Sequence, residues 1–335
     1  MAKRIGNRTI GLENGAYISA FASAVGPKEK EGPLREHFDL TFEDEFLGED
    51  SFEKAESALQ KAAVKKAIEK ADLKPEDIDI IYAGDLLNQC IGSAYGLRNL
   101  DIPFVGLYGA CSTMALGILN ASIAVDSGAA NKAVAVTSSH FCSSERQFRF
   151  PLEYGGQRTP TAQWTVTGSG AAVITNSSEK LKIEQVTVGK IVDYEVTDMN
   201  NMGAAMAPAA ADTILSFLRD TKTAAEDYDL ILTGDLGFSG SELLIEIMKK
   251  EGVTLRNHND CGMMIFDRER QDVHSGGSGC GCSASVLCSV ILKKMQQGEL
   301  KNILFCATGA LMSPTSSMQG ESIPSVAHLV NIKAE

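Results

Sequence analysis

The sequence predicts an α/β fold built from two related halves, and three observations lead there. At 335 residues the chain has room for two domains of roughly 150 residues each. Its short apolar runs alternate with helical segments, as buried parallel strands and crossover helices do. These runs are Ile78 to Ala83, Phe104 to Leu107, Ala133 to Thr137, Leu230 to Thr233 and Ile303 to Ala307. The chain also repeats itself. Pro75-Glu-Asp-Ile-Asp-Ile-Ile-Tyr-Ala-Gly-Asp-Leu86 returns 150 residues later as Ala225-Glu-Asp-Tyr-Asp-Leu-Ile-Leu-Thr-Gly-Asp-Leu236. Each copy reads as helix end, turn, buried strand and Gly-Asp loop.

A second pair follows at an offset of 171 residues. Ala110-Cys111-Ser112 leads a helix to Gly128 and the strand Ala133 to Thr137. Gly281-Cys282-Ser283 leads a helix to Gly298 and the strand Ile303 to Ala307. Because both elements recur in the same order, the boundary falls between Asn176 and Lys182, dividing the chain into residues 1–178 and 179–335.

Between the first strand and the first long helix, from Lys28 to Lys54, ten acidic residues stand against four basic ones. This reads as a solvated surface excursion, with a docking patch as the alternative. From Phe52 to Ala71, Phe52, Ala55, Leu59, Ala62, Ala63 and Ile68 fall near one helical face, and Asp50 or Ser51 is available as N-cap. That helix is expected to be scaffold. Phe104 to Leu107 then passes through the turn Tyr108-Gly109-Ala110 into a helix carrying Met114, Leu116, Ile118, Leu119 and Ile123.

Composition excludes several function classes. Apolar residues make up 44% and charged residues 22%, ordinary for a folded domain. The net charge of −12 repels phosphate backbones, so nucleic acid is not an expected partner. No run of 18 apolar residues exists, and Met1 to Arg8 is followed by no apolar core of a signal peptide. The expectation is a cytoplasmic protein. Eight cysteines are too sparse for a disulfide scaffold and suit reduced thiols; Cys90, Cys142, Cys288 and Cys306 sit among apolar neighbours.

Cys111 is the strongest single candidate for chemistry. It opens a helix directly after a strand, where the helix dipole and unpaired N–H groups favour thiolate and can hold an oxyanion. Its small neighbours Gly109, Ala110 and Ser112 permit the sharp bend such an elbow needs. The alternative is a buried structural thiol. Asp85, with Asn88, ends the strand Ile78 to Ala83 on the side where α/β sheets place ligands. Asp235 holds the equivalent place in the second half, and either carboxylate could simply cap a helix. Asp85 is the expected site residue because it shares a half with Cys111.

Tyr108-Gly-Ala-Cys-Ser-Thr-Met-Ala-Leu-Gly117, the duplicated halves, and Gly276-Gly-Ser-Gly-Cys-Gly-Cys-Ser-Ala284 resemble the thiolase fold, nearest to β-ketoacyl synthase III enzymes. Over nearly its full length the chain is similar to the stage V sporulation protein AD family of endospore-forming bacteria. That similarity lies in Ser23-Ala-Val-Gly-Pro-Lys-Glu-Lys-Glu-Gly-Pro-Leu34, Ala83-Gly-Asp-Leu-Leu-Asn-Gln89, Thr137-Ser-Ser-His140, Glu145-Arg-Gln-Phe-Arg149, Glu153-Tyr-Gly-Gly-Gln157, Met206-Ala-Pro-Ala-Ala-Ala-Asp212 and His258-Asn-Asp-Cys-Gly262. The resemblance implies two pseudo-repeated βαβαβ halves in a five-layered α-β-α-β-α architecture. It also implies a homodimer at the inner forespore membrane that binds dipicolinic acid and aids its uptake with integral membrane partners.

Set against the synthase III pattern, Cys111 matches the nucleophile and His258 falls where the family's histidine would. The amide donor does not match: Gly276-Gly277-Ser278-Gly279 stands in place of Gly-Asn-Thr-Ser, unless Asn259 substitutes. Losing one such donor costs hundreds-fold in rate, or about 3 to 4 kcal/mol, which implies weakened or absent catalysis. If the chain is an enzyme, it is an acyl-thioester condensing enzyme using Cys111 and His258. Dipicolinate, a flat ring with two carboxylates and an affinity for Ca²⁺, calls for cationic donors and apolar walls. His140, Arg146, Arg149 and Arg158, interleaved with Phe141, Phe148, Phe150 and Tyr154, are candidates, with structural ion pairs as the alternative. The expected ligand-binding set is Asp85, Asn88, Cys111, His140, Arg146, Arg149, His258 and Asn259, near the junction of the halves. No cofactor is expected. His258-x2-Cys261 with Cys280-x-Cys282 offers zinc-type ligands, but the tight C-x-C turn argues against a metal.

Overall fold

The computed structural model describes residues 2–148 and 158–335. Its principal strands are β1 (Thr9–Val25), β2 (Ile80–Gly84), β3 (Phe104–Gly106), β4 (Lys132–Ser139), β5 (Gly168–Thr175), β6 (Leu181–Thr187), β7 (Leu230–Thr233), β8 (His258–Asp260), β9 (Asn302–Ala310) and β10 (Ser325–Ala334). The principal helices are α1 (Phe52–Lys70), α2 (Ile91–Leu97), α3 (Thr113–Asp126), α4 (Phe141–Phe148), α5 (Met202–Thr221), α6 (Gly237–Lys250), α7 (Cys280–Val286) and α8 (Pro314–Met318).

The strands hydrogen-bond in the order β8-β7-β9-β10-β6-β1-β5-β4-β2-β3, with the short strands Lys3–Ile5 and Leu40–Thr41 added to β1. Within this ladder the two halves are visible as two five-strand blocks, each mixing parallel and antiparallel pairs. β4-β2-β3 is parallel and β4-β5-β1 antiparallel; β8-β7-β9 is parallel and β9-β10-β6 antiparallel. The long β1 pairs with both β5 and β6, so the ladder runs unbroken from one block into the other. Helices α3 and α7 lie between the blocks, α1 and α2 cover the first, and α5 and α6 cover the second. This is the five-layered α-β-α-β-α arrangement.

Local chemistry explains the elements. α1 starts where Ser51 Oγ accepts from Lys54 N–H and buries Ala55, Leu59, Ala63, Val64, Ala67 and Ile68 against β1, β4 and β5. It is not pure scaffold, because Glu56 and Gln60 on the same helix are fully buried too. α7 presses so closely on β5 that a Cβ on Gly170 would stand 2.2 Å from Ala284 O, which only glycine permits.

Two expectations are corrected. Phe104 to Leu107 is not a buried strand: β3 ends the sheet, and Phe104 and Val105 are exposed. The acidic excursion is partly internal. Glu29 is fully buried, with Oε1 accepting from Thr167 N–H at 3.0 Å. Asp39 accepts from Ser23 N–H and pairs with Lys70, and Glu45 accepts from Thr167 Oγ.

Candidate functional site

The elbow expected at Cys111 is present. Cys111 sits in a single turn, Ala110–Ser112, between β3 and α3, and Ala110 takes the left-handed φ of 48°. A non-glycine residue there stores strain, a frequent mark of functional turns. The bend is held by Ser112 Oγ donating to Gly109 O and Thr113 Oγ1 donating to Ala110 O, both at 2.6 Å. From the second half, β9 closes on the elbow at Gly309, where a Cβ would lie 2.2 Å from Gly109 O.

Cys111 opens onto a cavity of about 570 Å³ between the halves, within the usual range for small-molecule sites. The first half contributes a largely polar wall with Asp85, Asn88, Gln89, Ser144 and Glu145. The second contributes a largely apolar wall with Met199, Met202, Met206, Leu311 and Met312. Asp85, Asn88 and Cys111 are thus brought together as expected.

The carboxylate beside Cys111 is Asp235, not Asp85: its charge acts on the thiol. Asp235 is fully buried. Its Oδ2 accepts from Gly279 N–H at 2.8 Å and Ser278 Oγ at 3.2 Å, and its Oδ1 from Thr308 Oγ1 at 3.2 Å. Burial raises its carboxyl to about 6 against these donors. The thiolate expected from the helix N-terminus is therefore corrected: burial, then the Asp235 charge and Cys280, push the Cys111 thiol well above its ordinary value.

Four other expected residues lie away from the cavity. His258 is on β8 at the sheet edge, two positions short of the strand end. Its Nε2 bonds Thr233 Oγ1 at 3.0 Å, and burial lowers it to about 4. Asn259, whose Oδ1 accepts from Asp260 N–H, does not line the cavity. His140 is fully buried, its Nε2 on Glu45 O at 2.8 Å. Arg146 reaches Glu53 Oε2 at 2.6 Å over the Phe52 ring. These two are structural contacts, the alternative the sequence left open. Arg149 lies outside the described residues. Among the described residues no three His, Cys, Asp or Glu side chains are placed to hold a metal ion. The zinc-type thiols are occupied elsewhere, Cys280 Sγ donating to Ser138 O at 3.0 Å.

Sequence reasoning missed Ser144, Glu145 and the four methionines. Only Asp235 carried a signal, as the repeat partner of Asp85.

Comparison with known proteins agrees with this geometry. The fold is shared with 3-oxoacyl-[acyl-carrier-protein] synthase III of Aquifex aeolicus, at 13% identity and a TM-score of 0.58 over 95% of this chain and 100% of that one. It is shared also with a variant of OleA of Xanthomonas campestris, at 15% and 0.60 over 95% and 98%; the fold is thiolase-like. The stage V sporulation protein AD of Bacillus subtilis is 47% identical over 97% of this chain and 96% of its own. A family model described as stage V sporulation protein AD matches residues 6–333. The chain belongs to the stage V sporulation protein AD family.

Proposed function

We propose that the cavity binds dipicolinate, free or as its calcium chelate, and that the protein passes it to integral membrane partners at the inner forespore membrane. The observation that carries a binding role over a catalytic one is the fully buried Asp235 carboxylate beside Cys111, whose charge opposes formation of a thiolate. A nucleophilic thiol needs a base and oxyanion donors. Here a buried carboxylate stands beside the thiol, while neither His258 nor Asn259 lines the cavity. A methionine wall facing a polar wall suits a small flat ring with polar edges, since methionine packs adaptably against aromatic faces. Among the described lining residues there are two carboxylates, Asp85 and Glu145, and no lysine or arginine. A dianion therefore enters with positive charge supplied by calcium or by protons. Membership of a sporulation family supports dipicolinate as the ring.

The test is thermal stability with dipicolinate, with and without Ca²⁺, against isophthalate, which lacks the ring nitrogen. Dipicolinate should stabilise and isophthalate should not; equal responses would remove the assignment. The second reading, an acyl-thioester condensing enzyme, is favoured by the elbow at Cys111. It requires a covalent acyl adduct on Cys111 after incubation with acyl-CoA, read by mass spectrometry.

A homodimer belongs to the same proposal. β3 ends the sheet, and Phe104, at 42% exposure, and Tyr108, at 68%, stand out from its edge beside Ile91 and Tyr95. Such an edge invites two-fold strand pairing. Val105→Lys is expected to shift sedimentation from dimer to monomer.

A further inference from the structure

Behind the cavity wall lies a second carboxyl group that contacts no ligand. Glu56 of α1 is fully buried. Its Oε1 accepts from Ser138 Oγ at 3.2 Å and its Oε2 from Ser143 Oγ at 2.6 Å. In the wall itself, Asp85 accepts on Oδ1 from Leu87 N–H at 2.9 Å, and on Oδ2 from Ser93 N–H and Oγ at 2.7 and 2.6 Å. Gln60, one helical turn after Glu56 on the same face, joins the two. Its Nε2 donates toward Ser93 Oγ at 2.9 Å and Ser138 Oγ at 3.1 Å. An unbroken polar chain, Asp85 to Ser93 to Gln60 to Ser138 to Glu56, thus links the cavity to the core. The carboxyl groups are near neighbours: a Cβ on Gly92 would lie 3.2 Å from Asp85 Cγ and 3.5 Å from Glu56 Cδ.

No lysine, arginine or histidine among the described residues pairs with either carboxylate. The surrounding charged and titratable groups are Glu53 of α1, tied to Arg146 of α4; Glu145 of α4; the thiols of Cys90 and Cys280; the Tyr108 phenol; and His140, committed to Glu45 O. Two carboxylates out of water without a cation cannot both be ionised cheaply. Two polar atoms left without a partner mark the same place. Ser144 Oγ, in a residue 3% exposed, lines the cavity, and Gln60 Oε1 is wholly buried in the network, an acceptor for which a protonated carboxyl is the matching donor.

We propose that Glu56 carries a proton that leaves Asp85 as the pair's one negative charge, and that the cavity accepts an anionic ligand only while that proton is in place. Glu56 is then a positioning residue acting through Asp85. This rests on the reading of the cavity as a dipicolinate site. Burial, then the Asp85 charge, raises Glu56 to about 8, and burial raises Asp85 as well. If only the protonated pair binds, the competent fraction falls about ten-fold between pH 7 and pH 9, and the apparent Kd rises by that factor.

Calorimetric titration of the full chain with dipicolinate, without calcium, at pH 7 and 9 in two buffers of different ionisation enthalpy, tests this. Wild type should bind about ten-fold more weakly at pH 9 and take up close to one proton per ligand there. Glu56→Gln keeps the shape and cannot ionise, so its affinity should change less than about two-fold between the two pH values, with no proton uptake. Asp85→Asn removes the neighbouring charge and leaves Glu56 titrating, so it should move the fall in affinity to lower pH; it stands in if the first variant does not fold. A wild-type affinity that does not move with pH, or variants that keep the wild-type profile, overturns the proposal. Absence of binding heat at both pH values contradicts the dipicolinate reading instead. The proton is then read by infrared difference between pH 7 and 9: a protonated carboxyl band smaller in Glu56→Gln than in wild type sustains it, and a band of equal size in both overturns it, Glu29 supplying the shared remainder.

Discussion

Asp79 and Asp229 do the same work in the two halves. Asp79 Oδ2 accepts from the backbone N–H groups of Asn131 and Lys132, and Asp229 Oδ2 from those of Lys301 and Asn302, tying each strand start to its neighbour. Six residues later the copies diverge. Asp85 lines the cavity and organises a lip in which Gln89 and Cys90 both take left-handed backbone. Asp235 is sealed in beside Cys111 and holds Gly279, Ser278 and Thr308 together. A duplicated loop has been divided between a surface that lines the cavity and an anchor that joins the halves.

Breaking the anchor should cost most. Asp235→Ala strands several buried donors and is expected to lower stability by about 3 kcal/mol or more. Asp85→Ala loses a turn and helix-start contact and should cost about 1–2 kcal/mol. Denaturant unfolding measures both, and equal losses would erase the distinction between the two loops.

The pH profile of stability sharpens the picture of a core rich in neutral acids. Glu29 and Glu56 are raised to about 8 and Asp260 to about 7, each chiefly by burial. Acids raised in the folded state contribute stability that is fully present below their unfolded values and is lost as pH climbs toward their folded ones. His258 and His328 are lowered to about 4 by burial, so they withdraw stability as pH falls from about 6.5 toward 4. Melting temperature should therefore rise by several degrees from pH 8.5 to 6.5 and, since three raised acids outweigh two lowered histidines, rise more gently below that toward about pH 4.5. A monotonic rise with pH would contradict the burial of these carboxyl groups as acids.

A smaller effect concerns the thiol. With the Asp235 charge beside it, Cys111 should alkylate slowly at pH 8, and Asp235→Asn, which removes the charge, should speed it a few-fold. Peptide mass spectrometry after timed iodoacetamide exposure reads this. An unchanged rate would mean that the carboxylate does not govern the sulfur.

The sequence carried the fold in its repeats: Asp79 and Asp229 alone align two strands, two turns and their clamps. The Cys111 elbow was legible because strand, small residues and helix stand adjacent in the chain. Asp235 was not, since choosing between two Gly-Asp loops by nearness in sequence ignores β7 and β9 of the other half closing over the elbow. Arg146 looked like a ligand residue through its aromatic neighbours, yet local α1 to α4 packing takes it to Glu53. His258 was right in segment and wrong in reach, because its position on β8 stops below the strand end. The methionine wall leaves no motif, since its members come from the 199–206 segment and the turn after β9.

Cys111 lines the proposed binding site as a wall residue and not as a nucleophile. The most direct test is the stabilisation of wild type and Cys111→Ala by dipicolinate at about 100 times its Kd. Both should gain about 2.7 kcal/mol. A gain confined to wild type would contradict the account.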